Sequence, residues 1–517
     1  MKRRTFLQRL ASTGIVLPFA LGYPRLRAFA KSPSGSPFMR LASATNDHIF
    51  VIIRLAGGND GLNTVVPYGH SDYYTLRGPS TADNIAIPQA DVLKLPDSSS
   101  MGLHPSLAPL LGLYKEKKMA IVQNVGYPNQ NLSHFRSTDI WLSGSDSTVY
   151  DNAGWYAKYL EEKYPDYPTV LPTDPFAIEF GTFLSTTLVG EKNNMGIAVG
   201  TTGFLPNDSE KDPLPANHEG DEEAYVRSIA KQANVFTTSI INAIIKQPVN
   251  KVTYPTGNAL GTVLSAIPKL IAGGLATQMY IVNVGGYDTH SDQVNRQKQL
   301  HKDLADAVLA FQRDLEAFGL GDRVSTMTIS EFGRRVVSNG GGTDHGSAAP
   351  LFVIGNSVNG GLFGPDPNMT DLEGPGNLKM QYDFRQVYAS VLGQWFNADE
   401  ALIQPKALPH HFDQIPIFKT ATINGVDSSS AIAGVQLGQN FPNPAASGTR
   451  IPIQGMISGM NARLTLYDID GRTVLSRDVV AGETAIDLDT RSLPTGTYVY
   501  ELSAAGARRA KTMIVAR

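Results

Sequence analysis

Apolar and polar positions alternate along this chain in two different rhythms. Between about residue 45 and residue 420, short continuous apolar runs are separated by helical patterns. The runs over 48–55, 119–125, 279–284, 324–329 and 351–354 are apolar almost throughout, as strands buried on both faces are. The stretch 292–318 carries apolar residues at helical spacing and predicts a long amphipathic helix. A second helix is expected from Asp383 through Trp395, packed on the sheet. Apolar strands between helices predict an α/β domain with a doubly wound, mostly parallel sheet. Such sheets place their sites beyond the carboxyl ends of the strands.

The rhythm changes near the end. Residues 427–438 read as a linker, opening on a Ser/Ala/Gly stretch. Residues 439–517 then alternate with period two. Strands are expected over 463–468, 473–475, 496–502 and 511–515, with Asp470-Gly471 as a hairpin turn. This predicts a small C-terminal β-sandwich. Residues 205–222, rich in acids and prolines, read as an exposed loop.

Residues 1–30 read as an export signal. Lys2-Arg3-Arg4 precedes Phe6-Leu7 and a moderate apolar stretch, and Ala28-Phe29-Ala30 is a small-x-small cleavage site. The paired arginines resemble a twin-arginine signal. Those thirty residues hold six basic residues and no acid, so their removal would take the net charge from −3 to −9. A mildly acidic chain without a basic run argues against a nucleic-acid partner. No apolar stretch reaches the roughly 18 residues of a membrane-spanning helix, so none is expected in the mature chain. The cysteine count is zero. That excludes disulfides, a thiolate nucleophile and cysteine-held metal.

Candidate chemistry follows from the strand ends. Three runs end in glycine-flanked acids, Asp60, Asp288 and Glu331. His290 lies two residues past Asp288, and Asp344-His345 lies in a Gly-rich loop before the fifth run. One sheet edge would then gather carboxylates and imidazoles, and a cation would offset their repulsion. Oxygen and nitrogen ligands without sulfur suit a divalent metal ion: zinc, manganese, magnesium or calcium. Each residue also has a local reading: Asp60 as turn chemistry, Asp288 as a helix cap, Glu331 as an arginine partner. His104, His301 and His410-His411 read as surface or packing histidines.

The body resembles a known family. Leu55-Ala56-Gly57-Gly58-Asn59-Asp60-Gly61-Leu62-Asn63, Leu103-His104-Pro105, Ser133-His134-Phe135-x-Ser137-x-Asp139-Ile140-Trp141, Tyr287-Asp288-Thr289-His290, Ser330-Glu331-Phe332-Gly333-Arg334 and Thr343-Asp344-His345-Gly346 look like the bacterial domain-of-unknown-function family 1501. That family is similar to the alkaline phosphatase and sulfatase superfamily. The resemblance implies an alkaline-phosphatase-like sheet with a two-metal site. In that pattern Asp60 would be the first-strand metal aspartate and Ser133 the nucleophile. Asp288 with His290 would hold one metal, Glu331 would stand for the next strand's ligand pair, and His345 would be the late histidine ligand. His134 or Arg334 could stabilise the anion. Two departures bear on the second metal: Asp288 and His290 are only two apart, and Phe332, not histidine, follows Glu331.

The tail resembles the C-terminal sorting domain of the type IX secretion system, through Asn440-Phe441-Pro442-Asn443-Pro444, Tyr467-Asp468-x-x-Gly471-Arg472, Leu493-Pro494-x-Gly496-x-Tyr498 and the basic terminus. It implies the type IX machinery as a partner, and a secreted or outer-surface location reached through the periplasm. Together the expectation is an exported metal-dependent hydrolase of phosphate or sulfate esters, small or polymeric. The alternative is a non-catalytic secreted surface protein that keeps the fold and a structural ion.

Overall fold

The computed structural model describes residues 15–16, 47–78, 84–200, 235–419, 436–438, 440–454, 462–468, 473–480, 482–504 and 507–516. The span 1–30 read as an export signal, apart from Ile15 and Val16, lies outside the described residues, as do 205–222, read as a loop, and Asp470-Gly471, read as a turn. Leaving residues 1–46 aside, the chain forms two compact units, Asp47–Thr420 and Ala421–Arg517.

The first unit is built on one mixed sheet. Its main strands are β1 (Ile49–Leu55), β2 (Met119–Gly126), β3 (Ala177–Phe180), β4 (Ile197–Gly200), β5 (Met279–Val284), β6 (Val324–Ile329), β7 (Ala349–Ile354) and β8 (Gly361–Phe363). They lie in the order β4-β3-β5-β1-β6-β7-β2-β8. Ile15–Val16 pairs parallel outside β4, and Tyr382–Asp383 pairs parallel with β2. From β4 to β6 every pairing is parallel. β7 runs antiparallel to both its neighbours, β6 and β2.

Side chains of β1 alternate between two cores, which is why its sequence is apolar throughout. Val51, Ile53 and Leu55 join a core with Leu110 and Leu113 of α1 (Ala108–Lys115) and Leu304, Val308 and Phe311 of the long helix α3 (Gln293–Ala317). Phe50 and Ile52 join the opposite core with Trp141 of α2 (His134–Ser143), Trp155, Tyr388 and Trp395. Helices therefore cover both faces, and the doubly wound, mostly parallel architecture is observed. The helix expected from Asp383 begins with a capping box in which Asp383 and Gln386 satisfy each other's backbone donors. It is α-helical over Phe384–Ser390 and continues as a wider π-type turn to Trp395.

The second unit is a small two-layer β-sandwich. One sheet pairs Gln436–Leu437, Gly448–Gln454 and Ala485–Asp489; the other orders Thr473–Val479, Ala462–Tyr467, Gly496–Ala504 and Ala507–Val515. Ile451, Ile453, Leu464, Leu466, Ile486, Tyr500, Met513 and Val515 fill it. Gln436–Leu437 is thus a strand within the span read as linker. Gly448–Gln454 and Ala485–Asp489 are strands that the sequence reading lacked. No helix among the described residues is long and apolar enough to cross a membrane.

Candidate metal centre

The site lies where β1, β5 and β6 end and β7 begins. Because β7 is reversed, the loop entering it arrives at the edge from which the parallel strands leave. Close approach of these loops requires glycine at two points. Gly57 has φ +124°, and a Cβ there would lie 2.2 Å from the Asp288 nitrogen. Gly58 has φ +84°, and a Cβ would strike the Phe332 ring.

Four side chains converge there. Asp288 Oδ1 lies 3.1 Å from His290 Nε2 and 3.4 Å from His345 Nε2, and Asp288 Oδ2 lies 3.5 Å from His134 Nε2. The two Nε2 atoms of His290 and His345 are 3.0 Å apart. The Asp288 and His290 side chains are 46% and 44% exposed, so the cluster opens to solvent.

Each converging group is held from behind. The Nδ1–H of His345 donates to the Leu132 carbonyl at 2.7 Å. A carbonyl can only accept, so the neutral ring presents a bare Nε2 to the cluster. His134, first residue of α2, turns Nδ1 to Glu331 Oε1 at 3.0 Å and Nε2 inward. His290 turns Nδ1 to Asp344 Oδ1 at 3.4 Å. Arg334 Nη2 donates to Asp288 Oδ1 at 2.6 Å. Burial raises the Asp288 carboxyl, but the hydrogen bond and charge of Arg334, with the charges of His290 and His134, outweigh it and hold it below its usual range. Burial and the charges of Arg334, His134 and His290 hold His345 down, against the Leu132 bond, which favours the neutral ring as a ligand.

The donor set fits a metal ion. Ligating atoms of His134, Asp288 and His345 all lie within 4.8 Å of one another. His290 Nε2 lies beside this trio, 3.1 Å from Asp288 Oδ1 and 3.0 Å from His345 Nε2. Imidazole nitrogens beside a carboxylate oxygen are the ligand types such an ion takes.

The other expected residues lie in different roles. Asp60 is buried, and its Oδ2 accepts from Arg77 Nη1 at 2.6 Å and from Gln293 Nε2. Its other oxygen, Oδ1, is buried without a hydrogen-bond partner. Glu331 is also buried; its Oε1 accepts from the Gly57 N–H at 2.7 Å as well as from His134. It therefore orients a histidine, as carboxylates behind metal-bound imidazoles do. Asp344 backs His290 and is itself held by Asn339 at 2.9 Å and Arg335 at 3.4 Å. The Asn339 hydrogen bond and the Arg335 charge lower its carboxyl. Arg334, expected as an anion stabiliser, is enclosed. Its guanidinium donates to the carbonyls of Gly58, Thr343, Gly57 and Tyr287 and to Asp288, and so braces Asp288. Ser133 is exposed and precedes α2, and its hydroxyl makes no capping bond. Arg77 and Gln293 were missed. A legible signal for the second was the polar series Gln293, Gln297, His301 at four-residue spacing on the buried face of α3.

Residues 274–405 match the family described as protein of unknown function DUF1501, which covers the segment from β5 through Asp288, His290, Glu331, Arg334 and His345. Residues 439–516 match the secretion system C-terminal sorting domain. The chain carries a secretion sorting tail. This tail marks the protein for type IX export to the cell surface or beyond, and the DUF1501 match takes in the body's motifs at 287–290, 330–334 and 343–346. No sequence among the curated proteins matches. Among solved structures, dimeric latent PorU from Porphyromonas gingivalis is similar at 28% identity and a TM-score of 0.13, over 16% of this chain; the chain spans only 9% of PorU. A protein in the alkaline phosphatase superfamily from Vibrio parahaemolyticus is similar over 94% of this chain and 88% of that one, at 9% identity and a TM-score of 0.31. PsFucS1 sulfatase from Pseudoalteromonas sp. is similar over 88% and 87%, at 10% identity and a TM-score of 0.32.

Proposed function

We propose that this exported protein is a metal-dependent hydrolase of phosphate or sulfate esters, with a single metal centre. The observation that carries this reading is the convergence of His134, Asp288, His290 and His345 on one solvent-open point, each held from behind. Imidazoles beside a carboxylate suit zinc better than magnesium or calcium, which prefer all-oxygen sets. When bound, the ion supplies Lewis acidity that offsets charge on the ester oxygens. In this reading Asp60 and Glu331 support the centre rather than hold a second ion, Asp60 Oδ2 pairing with Arg77 and Glu331 Oε1 with His134 and the Gly57 N–H.

In this reading Ser133 is the nucleophile. Its hydroxyl is exposed at the N-terminus of a ten-residue helix, where the peptide dipoles favour incoming negative charge. Arg334 and Glu331 keep Asp288 and His134 in place. The test is metal analysis of the purified full chain, with aryl phosphate and aryl sulfate assays of the native protein and its Ser133→Ala and His345→Ala variants. Bound zinc with turnover lost in both variants is expected. No bound metal, or no turnover above the Ser133→Ala level, ends the enzyme reading.

A second reading is a secreted surface protein with a structural ion: Phe332, where the superfamily pattern has a histidine, is buried and leaves a second ion without that ligand. A chelator that lowers the melting temperature of a chain without turnover would identify it.

A further inference from the structure

We propose that Gln293 is a positioning residue that pins the two ligand-bearing loops of the metal centre to the buried Asp60–Arg77 pair. This rests on the metal reading above. Gln293 is the first residue of α3 and is fully buried. Its Oε1 accepts from the Thr289 hydroxyl at 3.1 Å and the Thr343 hydroxyl at 2.6 Å. Its Nε2 donates to Asp60 Oδ2, and its backbone N–H donates to the Gly341 carbonyl at 3.0 Å.

The amide has only one workable orientation here. A carboxylate cannot donate, so Nε2 must face Asp60 and Oε1 must face the hydroxyls. Thr289 lies between Asp288 and His290, and Thr343 immediately precedes Asp344 and His345. The two threonines also meet directly, through the Thr343 N–H to the Thr289 carbonyl at 3.2 Å. One buried side chain therefore fixes the spacing between the loop that brings Asp288 and His290 and the loop that brings His345. Asp60 acts on the centre from behind, through Gln293, rather than as a ligand.

The experiment measures zinc affinity of the full chain by competition with a chromophoric chelator. Replacing Thr289→Val with Thr343→Val keeps shape and removes both hydroxyls, leaving the Gln293–Asp60 bond in place. Loss of such outer partners weakens metal binding about 10–100-fold, and a rise of at least about tenfold in the zinc Kd is expected. Thr289→Ser with Thr343→Ser restores the hydroxyls and should return the Kd to near the native value. A double-valine chain that binds zinc as tightly as the native one overturns the positioning role and leaves the metal reading standing. Serine variants as weak as the valine ones also overturn it, because shape rather than hydrogen bonding would then be at work. A native chain that binds no zinc overturns the metal reading and this one with it. If the double-valine chain does not fold, Thr343→Val alone decides. It loses the shorter bond, and an unchanged Kd refutes the role.

Discussion

Replacing Arg77 by methionine isolates the cost of an unpaired buried carboxylate. In the native protein Arg77 is fully enclosed. Its Nη1 lies 2.6 Å from Asp60 Oδ2 and 3.0 Å from Asn63 Oδ1, its Nε 2.5 Å from the Val336 carbonyl, and its Nη2 2.7 Å from the Arg335 carbonyl. Methionine fills much of the volume but leaves Asp60 with Gln293 alone. Breaking a buried pair from one side costs about 3–5 kcal/mol, most of it the desolvated charge left behind. Removing the second charge relieves that term. Arg77→Met with Asp60→Asn should therefore be more stable than Arg77→Met alone, by about 2 kcal/mol. Urea unfolding followed by tryptophan fluorescence reads this cleanly, because Trp141, Trp155 and Trp395 all lie in the first unit and the sorting tail has no tryptophan. A double variant no more stable than the single one would refute the argument. Asp60→Asn should also keep its zinc; loss of the metal would make Asp60 a ligand after all.

Other outcomes follow from the same contacts. Glu331→Ala should weaken zinc binding about tenfold or more by freeing His134, whereas Glu331→Gln, which still offers an acceptor, should weaken it less; chelator competition separates the two. Gly342→Ala would place a Cβ 2.3 Å from the Thr289 carbonyl oxygen, so the two ligand loops must part and zinc affinity should fall sharply. Burial, with the charge of Lys298, lowers His104 to about 4 against the pull of Asp60. The unfolded ring, near 6.5, takes up protons that the native one refuses, so stability is full above pH 6.5 and falls toward pH 4, by about 3 kcal/mol in all. His104→Asn keeps an acceptor for the Ser106 N–H and should flatten the melting-temperature profile across that window; an unchanged slope would count against the assignment. In the tail, Tyr500 accepts from the Asn440 N–H at 2.9 Å and donates to the Gly438 carbonyl at 3.0 Å. Tyr500→Phe should destabilise the sandwich by about 1–3 kcal/mol, read by thermal unfolding monitored with circular dichroism.

The strands of the first unit were legible because residues such as Phe50, Val51 and Ile52 must all be apolar when both faces are covered. The direction of β7 was not, since Leu351-Phe352-Val353-Ile354 reads the same either way. Asp288, His290 and His345 could be grouped because strand ends share an edge. Asp60 also lies at a strand end, yet its partner Arg77 is 17 residues away, and an arginine buried in full is a rare event that composition does not signal. Glu331 touches the cluster through His134, and its Oε1 also takes the Gly57 N–H, a contact with the first strand's loop that no spacing in the sequence signals. His104 and His301, read as surface or packing residues, are buried edge to face, 5.0 Å between rings. Gly448–Gln454 does not read as a strand because Pro452 interrupts its alternation, and a proline weakens any strand pattern.

A sheet whose strands all point one way can offer its rim only departing segments. Turning β7 over adds an arriving one, and the residues just ahead of it, Thr343 to Ser347, reach the rim without any crossover helix behind them. Lengthening or shortening the glycine stretch before Thr343 would therefore change how far His345 reaches while the ladders of β7 with β6 and β2 keep their registers. The fold in this way separates the adjustable part of its chemistry from the part that must not slip.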